Sequence, residues 1–156
     1  MRTIKLNSKQ KELIEKMGVY MEKSGVSPAQ ARIMGLLLIC DELELTFEEI
    51  YETLQISKSA ASSALNTLLT SERIEYITRP GERKRYFRNR IGQWEDDFDK
   101  RFQHLLKVSQ LMKEILEVRT KSTKDFNSKL QKAINFMEFL QGELPELHKK
   151  WKKLNK

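Results

Sequence analysis

The segment of residues 57–67 is rich in small side chains that both donate and accept hydrogen bonds. If this segment is a helix, its inward face consists of Ile56, Ala61, Leu65 and Leu68. Serine, threonine and asparagine are weak helix formers, so a helix that only faces water would normally carry Glu, Lys or Ala instead. Short polar side chains suit a helix that closely approaches the base edges and phosphates of DNA.

Two kinds of DNA contact are predicted for the outward face of this helix. Its first residues are expected to contact phosphates through Ser57, Lys58 and Ser59. Its middle is expected to contact base edges through Ser62, Ser63 and Asn66. The complete predicted set on the helix is Ser57, Lys58, Ser59, Ala60, Ser62, Ser63, Asn66 and Thr67. An ordinary solvated helix is the alternative interpretation of the same residues.

A cluster of basic residues follows this segment along the chain. Its members are Arg79, Arg83, Lys84, Arg85 and Arg88, and they surround a Pro-Gly turn between two short runs of β-branched and aromatic residues, 74–78 and 85–88. Residues 57–90 contain eight basic and three acidic side chains. Arginines on such a hairpin can enter the minor groove or contact phosphates. A charged run alone is usually a solvated face, but here it directly follows the polar helix.

The elements before this helix complete a helix-turn-helix. Thr46 and Glu49 form a capping-box pattern that begins a short helix, and this helix must end near Gln55 because Ser57 is the next N-cap. The next helix runs from Lys58 to about residue 71. Such a pair places its second helix in the major groove while the first supports it. We therefore predict a winged helix-turn-helix over residues 46–90.

Helices are predicted on both sides of this module. A helix over residues 9–24 carries the apolar stripe Leu13, Met17 and Tyr20, and a second helix begins at Ser27 and Pro28. The C-terminal part is predicted as a long helix within residues 91–120, another that ends at Gly142, and a terminal one opened by Pro145. The expected fold is mainly α with a small β-hairpin. Residues 1–91 form the predicted DNA-binding domain with its N-terminal helix, and residues 92–156 the helical dimerisation region.

Composition agrees with a helix-rich globular protein that binds nucleic acid. The 156 residues are 39% hydrophobic and 33% charged, with a net charge of +7. No apolar stretch has the length of a signal peptide or a membrane helix, so we expect a cytoplasmic protein. The single cysteine, Cys40, follows an apolar run, and it is interpreted either as a small buried hydrophobe or as a redox-sensing thiol.

The residues of both predicted DNA contacts resemble a known family. Ile56-Ser-Lys-Ser-Ala-Ala-Ser-Ser-Ala-Leu-Asn-Thr-Leu and Arg79-Pro-Gly-Glu-Arg-Lys-Arg-Tyr-Phe are similar to the GbsR-like branch of the MarR family of regulators. The resemblance extends over nearly the whole chain, and its most branch-specific part is the wing of residues 80–86. It implies a homodimer with one winged helix-turn-helix in each subunit and dimerisation through the terminal helices.

The expected function is that of a sequence-specific transcription regulator that represses genes as a homodimer on a palindromic operator of double-stranded DNA. Whether a small-molecule effector also binds is left open by the sequence. An effector with a quaternary ammonium group would need a cage of aromatic faces. Candidates for such a cage are Tyr20, Tyr51, Trp94 and Phe98, although aromatic residues at helical spacing more often belong to a core. The apolar surface of the terminal helices is interpreted either as a dimer interface or as core that folds back on the N-terminal helices.

Other classes of protein fit the sequence less well. The only histidines, His104 and His148, have no acid or nucleophile at motif spacing, so we predict no enzyme activity, no metal site and no cofactor. A winged-helix scaffold for protein interactions and an RNA-binding module remain as alternatives. The RNA-binding alternative lacks exposed aromatic residues for base stacking.

Overall fold

A computed structural model describes residues 4–155, apart from the side chain of Leu106. It divides the chain into two compact units, Met1–Gly92 and Gln93–Lys156. The predicted domain limits at residues 1 and 156 lie outside the described residues.

Two packed helices open the first unit. Helix α1 (Ser8–Glu22) begins with a capping box between Asn7 and Gln10. Helix α2 (Pro28–Ile39) begins with Ser27 as its N-cap and a proline in its first turn, as predicted. Between the helices, Gly25 has a φ of +81°, and the Val26 amide donates to the Met21 carbonyl. This left-handed residue closes α1 in the way that the sequence predicts.

The helix-turn-helix follows and agrees with its predicted bounds. Strand β1 (Leu45–Thr46) leads into helix α3 (Phe47–Leu54), and the predicted capping box between Thr46 and Glu49 is present. Gln55 adopts a left-handed conformation with a φ of 53°, which ends α3 and turns the chain. Helix α4 (Lys58–Thr70) then starts at its N-cap, Ser57. The prediction missed β1, because two residues are too short to show a periodic pattern.

The wing is a three-stranded antiparallel sheet. Strands β2 (Ile74–Thr78) and β3 (Arg85–Asn89) form the predicted hairpin, and β1 pairs with the other edge of β3. In this register Leu45 faces Phe87 and Thr46 faces Tyr86. The Asn89 amide also donates to the Leu37 carbonyl of α2 at 2.6 Å. The hairpin is therefore attached to the rest of the unit through β3, by its pairing with β1 and by the hydrogen bond of Asn89 to α2.

One apolar core holds these elements together. It includes the fully buried side chains of Ile33, Leu36, Leu45, Ile50 and Leu68, which come from α2, β1, α3 and α4. Each such side chain stabilises the folded state by about 1.5–3 kcal/mol through burial. The core fixes α3 and α4 against the sheet and so positions the outward face of α4.

The inward face of α1 differs from the predicted stripe. Ile14 and Gly18 are buried, whereas Leu13 is 39% exposed and Tyr20 is 74% exposed. Gly18 lies on the buried face because its lack of a side chain leaves room for the Arg32 side chain. Arg32 in turn forms ion pairs with Glu15 and Glu22. Hydrogen bonds to these two acids raise the pKa of Arg32. The predicted stripe instead lines a surface groove between α1 and α2.

The second unit contains two long helices, α5 (Trp94–Val118) and α6 (Lys124–Leu154), preceded by a short 3-10 helix over Ile91–Gln93. Ile134 of α6 is fully buried, and Lys113 of α5 forms an ion pair with Glu138 of α6. At the turn, Arg119 donates to Asn127 at 2.8 Å and lies over the ring of Phe126. The two helices therefore pack along their length.

The predicted break in the last helix is wrong, because α6 is continuous through Gly142 and contains Pro145 in its interior. A proline removes one hydrogen bond and a glycine lowers helix propensity, so both residues predicted an end there. Contacts with α5 offset this cost, since His148 lies one turn beyond the proline and its ring contacts Phe98 at 6.0 Å between centroids.

Cys40 behaves as a buried hydrophobe. Its side chain is 8% exposed, and its thiol donates to the Glu42 carbonyl at 3.1 Å. Burial, with the nearby Glu42 carboxylate, raises its pKa from an ordinary 9.0 to about 11. The neutral thiol is therefore the stable form near neutral pH, which favours the buried interpretation over a redox sensor.

Candidate nucleic-acid interface

The outward face of α4 carries the predicted contact residues. Four residues are buried on its inner side: Ala61, Ala64, Leu65 and Leu68. The side chains exposed on the other side are Ser59, Ser62, Ser63, Asn66 and Thr67, and Ala60 is half-buried. Apart from Ala64, which sequence analysis did not assign, the helix has the orientation that the sequence predicts.

Several hydroxyl groups on α4 already have partners within the protein. The Ser57 hydroxyl accepts from the Ala60 amide at 3.1 Å and lies 3.1 Å from the Ser59 hydroxyl. The Thr67 hydroxyl donates to the Ser63 carbonyl at 3.0 Å. For Ser62 and Asn66, no hydrogen bond of the side chain is seen within residues 4–155. These two side chains are therefore available for an external partner.

A lysine at the start of α4 makes a cation–π contact with α3. The Lys58 ammonium lies 5.4 Å from the centroid of the Tyr51 ring on α3. This contact keeps a positive charge beside the N-terminus of α4, where the helix dipole is itself positive. The arrangement favours an anion such as a phosphate at this end of the helix.

The turn of the hairpin presents the basic residues to solvent. Gly81 has a φ of +79°, and the Glu82 amide donates to the Arg79 carbonyl at 3.0 Å, which closes a tight turn. Arg83, Lys84 and Arg85 follow this turn and are exposed. Arg85 pairs with Thr78 in the hairpin register, and its guanidinium lies 4.6 Å from the ring centroid of Tyr76, two positions away on β2.

The arginines at the two ends of the predicted cluster have acidic partners. Arg79 donates to Glu44 at 2.9 Å, and this hydrogen bond raises the pKa of Arg79. Arg88 donates to Glu75 at 2.7 Å and also lies 3.7 Å from Glu44. In the described part of the chain, Arg83, Lys84 and Arg85 have no such acidic partner.

A cleft brings the two predicted contact regions together. Its volume is about 370 Å³. Ser62, Leu65 and Asn66 of α4 line one side, and the wing contributes Arg83, Lys84 and Arg85. Three further residues complete the lining: Phe47, Glu48 and Phe87. Cations thus lie beside small hydrogen-bonding groups in a concave surface of a size that suits a segment of sugar-phosphate backbone.

Acidic residues that accept hydrogen bonds from the wing were not predicted from the sequence. Glu75 lies directly opposite Arg88 in the hairpin register, so a hairpin alignment of the sequence could have identified this pair. Glu82 accepts a hydrogen bond from Tyr86, which raises the pKa of the tyrosine. Glu44 lies 35 positions from Arg79, and no local pattern in the sequence links them.

The four residues of the predicted aromatic cage lie on three helices. Tyr20 is on α1, and Tyr51 is on α3, where its ring lies 5.2 Å from that of Phe47. Trp94 and Phe98 are one turn apart on α5. Their ring partners are on α6: Trp151 at 5.0 Å from Trp94, and His148 at 6.0 Å from Phe98. The cage therefore remains a prediction.

The remaining candidate features give no further site. Among the described residues, no group of three His, Cys, Asp or Glu side chains could hold a metal ion. His148 lies 3.4 Å from Asp99 and 3.6 Å from Glu95, between two aromatic rings. Within the same part of the chain, no helix has the length and apolar character to cross a membrane.

A winged helix-turn-helix with an exposed polar helix and a basic wing is therefore the class of fold that this chain adopts, as predicted. No protein-family model matches the chain. Over 79 residues it is 33% identical to the HTH-type transcriptional regulator MmpR5 of Mycobacterium tuberculosis. That match covers 51% of this chain and 48% of the relative, so the chain spans about half the length of the curated protein it matches.

One solved structure, a crystal structure of a transcriptional regulator, shows the same fold over most of the chain, with a TM-score of 0.75, 21% identity, and coverage of 93% of this chain and 99% of that one. The apo form of wild-type MarR from E. coli has a TM-score of 0.43 and 15% identity, and the coverage is 85% and 98%. Both the curated relative and the first structure are transcription regulators.

Proposed function

We propose that this protein is a sequence-specific DNA-binding transcription regulator of the MarR family, in its GbsR-like branch. The cleft between α4 and the wing carries the proposal, because it combines hydrogen-bonding groups with cations that have no acidic partner in the described chain. A function on the genome places the protein in the cytoplasm.

Each part of the surface has a separate proposed role. Ser62, Ser63 and Asn66 contact base edges in the major groove, because they lie on the exposed face of α4. The start of α4 contacts a phosphate beside Ser57, Lys58 and Ser59. Arg83, Lys84 and Arg85 contact the flanking backbone or the minor groove. Ala60 and Thr67 allow close approach at the edges of the helix face.

We further propose that the protein acts as a homodimer on a palindromic operator. In the second unit, exposed apolar side chains include Leu111, Ile115, Phe126, Phe136 and Phe139, each more than half exposed. A set of this size on two helices is typical of an interface. Two modules one DNA turn apart would combine their affinities, and a bound dimer would repress transcription where its operator overlaps a promoter.

Selection of bound fragments from the genome that encodes the chain tests specificity and symmetry together. We expect the selected fragments to share two half-sites in inverted orientation, with centres about 34–36 Å apart. Asn66→Ala should change the preferred bases within the half-sites, because a base-edge contact is lost. Lys129→Ala, which removes an exposed cation of α6, is the control and should select the same sequence.

Recovery of fragments without a shared sequence would contradict the proposed specificity. The same selection with no enrichment of any duplex would favour the alternative function, a winged-helix scaffold for protein interactions. A small-molecule effector is tested by repeating the selection with a quaternary ammonium compound, which should release the fragments if Trp94 and Phe98 belong to an aromatic cage.

A further inference from the structure

Glu44 connects the segment before β1 to both strands of the hairpin. Its carboxylate accepts a hydrogen bond from Arg79 at 2.9 Å and lies 3.7 Å from Arg88. The Glu44 side chain is only 22% exposed. Because β1 pairs with β3 through the next residue, Leu45, the backbone holds this carboxylate beside the wing.

Both arginines have additional partners that restrict their movement. The Arg79 guanidinium lies 4.0 Å from the centroid of the Tyr86 ring, and the Tyr86 hydroxyl donates to Glu82 in the turn. Arg88 donates to Glu75, which faces it across the hairpin. Each arginine therefore has an acidic partner, and these contacts restrict the strands on both sides of the turn.

This environment separates the wing cations into two groups. The side chains of Arg79 and Arg88 are about half exposed, but each would have to leave an ion pair to reach a phosphate, and the loss of that pair offsets part of the gain of the new contact. Arg83 and Lys84 are exposed, and within residues 4–155 neither has an acidic partner to leave. Arg85 lies over the face of Tyr76, and in the same range of residues it too has no acidic partner.

We propose that Glu44 is a positioning residue for DNA binding: it sets the direction of the wing and, together with Glu75 at Arg88, keeps Arg79 and Arg88 away from phosphates. The phosphate contacts of the wing then come from Arg83, Lys84 and Arg85. This inference rests on the proposed function, and it narrows the set of contacts predicted from the sequence, which includes all five basic residues.

Salt dependence distinguishes a phosphate contact from a positioning contact. The slope of log K against log salt concentration falls by about 0.9 for each phosphate contact that is lost. Binding of a labelled duplex is measured by fluorescence anisotropy over a series of salt concentrations. Arg83→Ala should make the slope shallower by about one. The Arg79→Ala/Arg88→Ala double variant should keep the slope of the unmodified protein, although its affinity falls as the wing loses its support.

Glu44→Gln gives the opposite expectation, because it releases Arg79 and keeps the size of the side chain, while Arg88 retains its closer acidic partner, Glu75. The slope for a non-specific duplex should become steeper by about one. The ratio of specific to non-specific affinity should fall about tenfold or more. Glu52→Gln is the matched control, since it removes one exposed carboxylate of α3 that forms no ion pair with a wing arginine in the described part of the chain, and it should leave the slope unchanged.

A double-mutant cycle shows whether Glu44 acts through the two arginines. In the Arg79→Ala/Arg88→Ala background, Glu44→Gln should have no further effect on the slope. If Glu44→Gln fails to fold, as judged by thermal unfolding, the comparison of the arginine variants still decides the question. A shallower slope for the Arg79→Ala/Arg88→Ala variant would overturn the proposal.

The same titrations separate this proposal from the proposed function. Absence of salt-dependent duplex binding by the unmodified protein overturns both. A shallower slope for Arg83→Ala, together with an unchanged slope for Glu44→Gln, supports DNA binding by the wing and overturns the role of Glu44.

Discussion

The arginines of the wing differ in their environments. Both Arg79 and Arg83 are exposed, but Arg79 is paired with Glu44 and stacked on Tyr86, whereas Arg83, four positions later, has no acidic partner among the described residues. The formal charge of a basic run therefore overstates the charge that is available to a partner. On the proposed account, the acidic residues around the wing decide which of its cations contact DNA.

Cys40 gives a prediction at this scale. Because burial raises its pKa to about 11, on the order of one thiol in 10⁴ is ionised at pH 7. We expect iodoacetamide at pH 8 to modify the folded protein slowly and the denatured protein rapidly. Mass spectrometry measures the extent of modification. Rapid modification of the folded protein would contradict the interpretation of Cys40 as a buried residue.

The same thiol links stability to pH. Folding raises the pKa of Cys40 from about 9 to about 11, so the folded state binds this proton more tightly than the unfolded state. The resulting stabilisation is complete below pH 9 and is lost as the pH rises to 11. The free energy of unfolding of the unmodified protein should therefore fall more over this range than that of Cys40→Ala. Equal losses in denaturant titrations would show that another group is responsible.

Features that depend on a few neighbouring residues could be predicted from the sequence. The N-caps at Ser27, Thr46 and Ser57 are examples, since each depends on an oxygen and an amide three positions later. Contacts between distant residues could not be predicted in this way. Glu44 meets Arg79 only because β1 pairs with β3, and β1 contains just two residues.

At the scale of elements, packing overrides local propensity in α6. Pro145 and Gly142 predict the end of a helix, yet the helix continues for 31 residues because its apolar face packs on α5. Element type was therefore predictable for α6, whereas its length was not. The buried face of α1 is a related case, since Ile14 and Gly18 lie inward, whereas Leu13 and Tyr20 of the predicted stripe are exposed.

Pro145→Ala tests the continuous helix. The substitution restores one backbone hydrogen bond and removes a steric clash, so it should raise the free energy of unfolding by about 1–3 kcal/mol. Gly142→Ala is the comparison variant, with an expected gain of about 0.5–1 kcal/mol, since an added Cβ meets no atom within 4 Å. Thermal unfolding by circular dichroism measures both effects. A large gain in helical signal on Pro145→Ala would instead indicate that the helix is broken there.

At the scale of the whole molecule, the two units have different surfaces. The first unit carries the polar helix and the basic wing, and the second carries exposed phenylalanines on long helices. On the proposed account, one surface contacts DNA and the other joins two copies of the chain. Neither surface alone gives strong and specific binding, because one module makes only a few salt-sensitive contacts.

Phe136 and Phe139 test the proposed dimer. Both are 61% exposed, so replacing both with serine should disrupt an interface without loss of the fold. We expect the dimer dissociation constant to rise at least tenfold in sedimentation experiments, and operator affinity to fall about 10²–10⁴-fold as the combined binding of two modules is lost. Asn135→Ser is the control on the same exposed helix. Unchanged sedimentation of the double variant would show that the interface lies elsewhere.

The most direct test of DNA binding by this fold is the salt dependence of duplex binding by the unmodified protein, Arg83→Ala and Lys84→Ala. The proposed interface predicts a linear fall of log K with log salt concentration, and a slope shallower by about 0.9 for each variant. Lys129→Ala should retain the original slope. Identical slopes for all four proteins, or no duplex binding, would contradict the assignment of the wing as a DNA contact.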